Sequence, residues 1–202
     1  MTVIIKYNAG NIFSVDCALR RIGVKAEITD HPDRIRNADR VIFPGVGEAS
    51  TTMQYLQQRG LDKVICTLQQ PVLGICIGMQ LMCRHSEEGD VNCLHIFDED
   101  VIRFQPSQGI KVPHMGWNSL QNMNSPLFDG LHDHPYVYFV HSYYAATGAH
   151  TIATSSYPEP FSAALKRGNF YALQFHPEKS GYIGEVILRN FMGHTISNPR
   201  NP

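Results

Sequence analysis

The sequence has little that would tie it to a membrane, a nucleic acid or an oxidising compartment. No stretch approaches the roughly 20 consecutive apolar residues that span a bilayer. The opening MTVIIKYNAG carries neither a basic leader nor a small-residue cleavage pattern. Charged residues make up 17% of the chain and nearly cancel, leaving a formal net charge of −1, so no global basic field draws nucleic acid or anionic lipid. The five cysteines are odd in number and none shares Cys-x-x-Cys spacing with another; reduced thiols are expected, not a disulfide framework or a zinc centre. Linker-like and repetitive tracts are missing as well. The expectation is a cytoplasmic protein folded as a single domain over residues 1–202, with no membrane or nucleic-acid partner.

What is present is a rhythm. In the first half short β-branched runs alternate with helical periodicity: strands at Val3–Lys6, Lys25–Thr29, Arg40–Phe43 and Pro71–Ile75, with helices at Asn11–Ile22, Glu48–Gln58, Leu61–Leu68 and from Gly78 to Arg84. Such βαβα alternation predicts an α/β fold with a central, mostly parallel sheet flanked by helices. The second half changes character. Val101–Phe104, Val112–Trp117, Val137–Tyr144, Thr151–Ser156, Ser162–Lys166 and Phe170–Gln174 all read as strands, followed by a helix from Ile183 to Met192. Antiparallel additions around the parallel core are expected, with a frayed tail at Ser197–Pro202.

Three segments carry chemistry. In Gly74-Ile75-Cys76-Ile77-Gly78 an apolar strand runs into Gly-x-Cys-x-Gly and then a helix, the nucleophile-elbow pattern with cysteine in place of serine. A nucleophile at so sharp a turn is strained, and glycines two positions away on each side remove side chains that would collide. The helix start favours thiolate and aims the Ile77 amide at a developing oxyanion. Alone, the motif is equally a core cysteine at a tight turn. The second segment, Gln174-Phe175-His176-Pro177-Glu178, ends a strand with a base and a carboxylate two residues apart. Histidine can take and return a proton near neutral pH, and a carboxylate on its other nitrogen fixes the tautomer. The third, Phe43-Pro44-Gly45-Val46-Gly47, follows a parallel strand, so its backbone N–H groups can face a ligand at the carboxyl edge of the sheet. His132-Asp133-His134 looks superficially metal-like but reads as a solvated turn, and neither a metal nor a cofactor is expected.

Taken together, in this order and spanning nearly the whole chain, the three segments resemble the class I, or triad, glutamine amidotransferases, whose flavodoxin-like fold the resemblance implies. Within that class, Pro113-His114-Met115-Gly116-Trp117-Asn118, Phe139-Val140-His141-Ser142-Tyr143-Tyr144, Gly78-Met79-Gln80-Leu81, His176-Pro177-Glu178-Lys179-Ser180 and the Asn8-Ala9-Gly10-Asn11 turn are similar to segments of the glutaminase subunit of imidazole glycerol phosphate synthase. Ile77 departs from the usual leucine, and Lys6 stands where an acidic residue is common. The resemblance implies Cys76 as nucleophile, His176 as base and acid, and Glu178 as orienter. It gives Val46 or Gly47 and Ile77 as oxyanion donors, and Gly45, Gln80, His141, Ser142 and Tyr143 as glutamine-binding residues. Asn11, Trp117, Tyr136 and Lys179 are implied at a partner interface or gate; by composition alone the single tryptophan is more at home in a core. L-Glutamine is the implied substrate and a (β/α)8 cyclase subunit the implied heterodimer partner, receiving ammonia for imidazole glycerol phosphate formation in histidine biosynthesis. The Gly45–Gly47 loop is expected to act as a switch. Rival readings are another triad amidotransferase of anthranilate or aminodeoxychorismate type, a catalytically silent regulatory subunit, and a cysteine peptidase on a related fold.

Overall fold

A computed structural model describes residues 1–7, 11–106 and 110–193. The expected turn at Asn8–Gly10 and the frayed tail at Ser197–Pro202 lie outside the described residues. In chain order the first half gives β1 (Thr2–Ile5), α1 (Ile12–Arg21), β2 (Ala26–Thr29), α2 (Pro32–Arg36), β3 (Arg40–Phe43), α3 (Ala49–Gln58), α4 (Leu61–Cys66), β4 (Val72–Ile75) and α5 (Ile77–Met82). The second half gives β5 (His85–Ser86), β6 (Val91–Asn92), β7 (Asp100–Arg103), β8 (His114–Ser119), β9 (Tyr136–His141), β10 (Tyr143–Ala145), β11 (Thr151–Ser156), β12 (Pro160–Arg167), β13 (Phe170–Leu173) and α6 (Gly181–Phe191).

The seven-stranded main sheet runs β11-β12-β13-β4-β3-β1-β2. From β2 to β13 every neighbour is parallel, whereas β12 and β11 add antiparallel to the β13 edge. Alternate residues of the parallel strands feed two separate cores: Val3, Ile5, Val41, Phe43 and Val72 pack on one side, and Ile4, Ile42, Leu73 and Ile75 on the other. A strand buried on both faces has no polar side to show, which is why β4 reads as unbroken apolar sequence. Helices α3, α4 and α5 cover the first side through Met53, Leu56, Leu61, Val64 and Met79. Helices α1 and α6 cover the second through Val15, Leu19, Ile187 and Leu188. Along α1 and its C-cap, Val15, Ala18, Leu19 and Ile22 are buried at helical spacing on one side.

The second half departs from expectation in one informative way. Val137–Tyr144 is not one strand. The chain breaks at Ser142, so that β9 pairs with β8 in a separate two-stranded ribbon while β10 joins β7, β5 and β6 in a small four-stranded sheet. The strand expected at Val112–Trp117 is shifted to His114–Ser119. Helix α5 begins at Ile77, just before the expected Gly78, and stops at Met82, short of the expected Arg84. Helix α2 has one buried residue, Ile35, and is too short to leave a periodic trace.

Candidate active site

Strands β3, β4 and β13 are parallel neighbours, so their carboxyl ends emerge at one edge and bring the three chemistry-bearing segments together. Between β4 and α5 the backbone turns at Cys76 with φ 52° and ψ −109°, left-handed territory that costs a non-glycine residue about 1–3 kcal/mol. The Cys76 N–H donates to Leu173 O at 2.7 Å and its carbonyl accepts from Gln80 N–H at 3.1 Å, holding the turn from both sides. Backbone contact excludes a side chain at Gly78 and leaves one at Gly74 very tight. A Cβ on Gly78 would sit 2.1 Å from the Phe43 carbonyl oxygen, and one on Gly74 would sit 3.0 Å from the Gly78 backbone. Gly45 belongs to the same packing: its Cβ would fall 1.8 Å from a methyl of Ile77.

His176 follows β13, and its N–H donates to Tyr138 O at 2.9 Å. Its Nδ1 lies 2.7 Å from Glu178 Oε1, with both side chains fully buried. Ser180 Oγ clamps this turn by donating to His176 O at 2.7 Å and accepting the Tyr138 N–H at 3.0 Å. Helix α6 presses on it so closely that a Cβ on Gly184 would lie 1.8 Å from Pro177 O. The other imidazole nitrogen, Nε2, is buried without a hydrogen bond of normal geometry among the described residues. Burial pulls the His176 pKa down, but Cys76 and Glu178 outweigh it and push it up to about 10. The Cys76 sulfur thus raises the imidazole's proton affinity through hydrogen bonding as well as charge.

Other thiols have different surroundings. Burial pushes Cys93 up to about 12 and Cys83 well above its ordinary value, and it also raises Cys66. Cys76 instead opens onto a cavity of about 290 Å³. One wall is Val46, Gly47, Ile77 and Gln80; the other is Pro113 and the run Val140 to Tyr143, with Glu88 at the side. A larger hollow of about 550 Å³ beside Met123–Leu131 is lined by neither cysteine nor histidine.

The residues singled out by sequence fall into three groups. Cys76, His176, Glu178, Val46, Gly47, Ile77, Gln80, His141, Ser142 and Tyr143 are brought to one place. Gly45 is buried behind the cavity wall. Of the expected interface residues, Trp117 and Tyr136 are 56% and 59% exposed, and Lys179 is exposed with its Nζ 5.8 Å above the Tyr138 ring. The tryptophan is thus not a core residue. Asn11 turns inward, and its amide donates to the same Glu178 oxygen that faces His176. Sequence reasoning missed Glu88, which no motif flags. It also missed Gln174, whose Nε2 donates to Cys76 Sγ at 3.8 Å; a polar residue ending an apolar strand beside the His-Pro-Glu segment was the available signal. His132–His134 form an exposed turn, and no group of three or more potential ligands is placed to hold a metal among the described residues.

A strained cysteine elbow, a buried imidazole–carboxylate pair and a glycine loop at one sheet edge are the combination found in triad amidotransferases. The family model "Glutamine amidotransferase class-I" matches residues 3–194, and the chain belongs to that family. Within it, the chain is 60% identical over 190 residues to the imidazole glycerol phosphate synthase subunit HisH of Bacteroides thetaiotaomicron, covering 94% of this chain and 97% of that one. It is 44% identical over 201 residues to the HisH subunit of Shewanella loihica, covering 95% and 89%. Among solved structures, a putative GMP synthase protein from Thermoplasma acidophilum superposes with a TM-score of 0.74 at 23% identity, covering 96% and 93% of the two chains. That likeness speaks to the fold.

Proposed function

We propose that this chain is the glutaminase subunit of an imidazole glycerol phosphate synthase, acting as one domain across its length. It hydrolyses L-glutamine and hands ammonia to a synthase subunit. The observation that carries the reading is Cys76 at the strained elbow, opening into an amino-acid-sized cavity with the His176–Glu178 pair behind it.

In the proposed reaction the proton shared by the pair rests on His176, and the Cys76 sulfur attacks the side-chain carbonyl carbon of glutamine. Negative charge on the former carbonyl oxygen meets the Ile77 N–H and an N–H from Val46 or Gly47, each donor contributing about 3–4 kcal/mol in such sites. The carbon–nitrogen bond then breaks and His176 returns its proton to the departing ammonia. A His176 that keeps its proton well above neutral pH is a competent acid for that step. Water, deprotonated by the same imidazole, attacks the γ-glutamyl thioester; glutamate leaves, the sulfur is released and the proton taken from water stays on His176. Gln80 and the backbone of His141–Tyr143 hold the substrate's far end, and the Glu88 carboxylate at the cavity side suits its ammonium group. No step draws on a metal or organic cofactor.

Ammonia released to water is protonated and diluted, so a second subunit has to receive it directly. The face that fits such a partner is the outer side of the β8–β9 ribbon, where Met115, Trp117 and Tyr136 are exposed beside the turn carrying Lys179. A (β/α)8 cyclase is the partner in this reading, in a cytoplasmic setting, and rotation of the Gly45–Gly47 peptides is the switch that partner controls. No helix among the described residues is long and apolar enough to cross a membrane. The test is a glutaminase assay on the chain alone and with the purified cyclase and its nucleotide substrate. Strong stimulation by the loaded cyclase is expected; equal rates in both conditions would rule out the switch, and no turnover in either would rule out the function.

A further inference from the structure

A single backbone carbonyl orders an entire hydrogen-bond network around the cavity. In the β10–β7 ladder Phe104 N–H donates to Ser142 O and Ala146 N–H donates to Asp100 O; antiparallel alternation therefore leaves Tyr143 O pointing away from β7. Two side chains use it instead: His141 Nδ1 at 2.7 Å and Gln80 Nε2 at 2.8 Å. A carbonyl oxygen only accepts, so both partners must donate, and every polarity beyond them follows.

On the first side, a proton on His141 Nδ1 makes its Nε2 an acceptor in the neutral ring. His114 Nδ1, 3.1 Å away and directly opposite in the β8–β9 register, must then carry the hydrogen. That makes His114 Nε2 an acceptor, and it meets Asn118 Nδ2 at 3.4 Å. The Asn118 orientation is fixed independently, because its oxygen accepts the Ser119 N–H at 2.8 Å and its nitrogen also donates to Ser156 O at 3.0 Å. The polarity that starts at Tyr143 thus ends on a backbone N–H that agrees with it. On the second side, Gln80 Nε2 spends its other hydrogen on Gln174 Oε1 at 3.0 Å, which leaves Gln174 Nε2 facing Cys76 Sγ at 3.8 Å.

We propose that Tyr143 O is the hub of a hydrogen-bond relay of fixed polarity whose two arms both donate into it, Asn118→His114→His141→Tyr143 O←Gln80, with Gln80 also donating to Gln174 and Gln174 to the sulfur, and in which His114, His141 and Gln174 are positioning residues for the nucleophile and the substrate wall. This rests on the glutaminase reading for its purpose but not for its geometry. Protonating either histidine would set N–H against N–H, and burial already holds both rings neutral, with His114 lowered to about 4 and His141 to about 3. The relay begins on the inner face of the ribbon whose outer face carries Trp117 and Met115.

The experiment is nitrogen-15 NMR of the full chain labelled at histidine, at neutral pH, where long-range couplings identify the protonated ring nitrogen. His114→Gln and His141→Gln spectra assign the two rings. Both rings are expected as the Nδ1–H form, opposite to the preference of a free imidazole; an Nε2–H form in either ring overturns the relay, whatever the glutaminase assay gives. Gln174→Glu tests the other arm, because a carboxylate still accepts from Gln80 but cannot donate to sulfur. Alkylation of Cys76 by iodoacetamide, followed on its own peptide by mass spectrometry, is expected to slow at least about tenfold in that variant. An unchanged rate overturns the role of Gln174. Both readouts use the isolated chain, so they remain readable if the synthase partnership fails.

Discussion

Two structures face each other across the cavity, the Cys76 elbow and the β8–β9 ribbon, and they are built by opposite rules. The elbow is held by backbone against backbone: Gly78 against Phe43 O, Gly74 against Gly78, and the Cys76 N–H on Leu173 O. It has no spare room, and its strained φ persists because its neighbours permit nothing else. The ribbon is held by side chains. Its inner face is fixed by the His114–His141 pair and by Val137 and Phe139, which are fully buried, whereas its outer face leaves Met115, Trp117 and Tyr136 in solvent. The pattern suits the proposed roles, a rigid nucleophile and a wall that a partner adjusts.

That difference sets the scale of what substitutions should do. The largest effect belongs to the proposed nucleophile: Cys76→Ala should cut kcat at least about 10⁴-fold while the unfolding midpoint stays near that of the unaltered protein. Retained activity would break the contrast at the elbow. Next comes Glu178→Gln, which keeps the hydrogen-bond geometry but removes the charge, with an expected loss of about 10²–10⁴-fold in kcat. The same variant has a pH signature. The folded-state pKa of His176, about 10, lies above its ordinary 6.5, so its contribution to stability is complete below pH 6.5 and is lost as pH rises through 10. Denaturant unfolding across the alkaline range should show a smaller loss in Glu178→Gln.

Gly78→Ala separates packing from helix propensity. Alanine favours a helix interior by about 1 kcal/mol, but the new Cβ would overlap the immovable Phe43 carbonyl, so a net loss of about 3 kcal/mol is expected; a stabilised variant would show that the elbow is looser than described. The ribbon answers to acid. His114 and His141 have folded-state pKa values below the ordinary 6.5, so their stabilising contribution is complete above pH 6.5 and is lost as pH falls towards 4 and then 3. Urea unfolding at pH 7 and pH 4.5 should show a shallower decline in His141→Gln. The smallest effect on the isolated chain belongs to Trp117→Ser, expected within about 0.5 kcal/mol of the original stability. That variant should weaken cyclase binding by about 2 kcal/mol in a titration of the two subunits.

The same contrast explains what could be read from the sequence. The parallel core declares itself because doubly buried strands leave unbroken apolar runs such as Val72–Ile75, and because Gly-x-Cys-x-Gly and His-Pro-Glu are local patterns with local causes. The ribbon does not. Its strands are joined across residues 120–135, and only their register puts His114 opposite His141. The break at Ser142 is hidden for the same reason, since β9 and β10 look continuous until their partners are known. Glu88, Asn11 and Gly184 acquire their places from tertiary contacts: with the cavity, with Glu178 and with Pro177. No short window of sequence contains those neighbours.

One sulfur is set apart from Cys66, Cys83 and Cys93 by its surroundings, and the proposed chemistry depends on that separation. Treating the cyclase-bound chain with a diazo-ketone analogue of glutamine, followed by peptide mass spectrometry, tests this most directly. One adduct per chain is expected, on Cys76, with matching loss of glutaminase activity; activity lost with Cys76 unmodified, or an adduct only on Cys17, Cys66, Cys83 or Cys93, would contradict it.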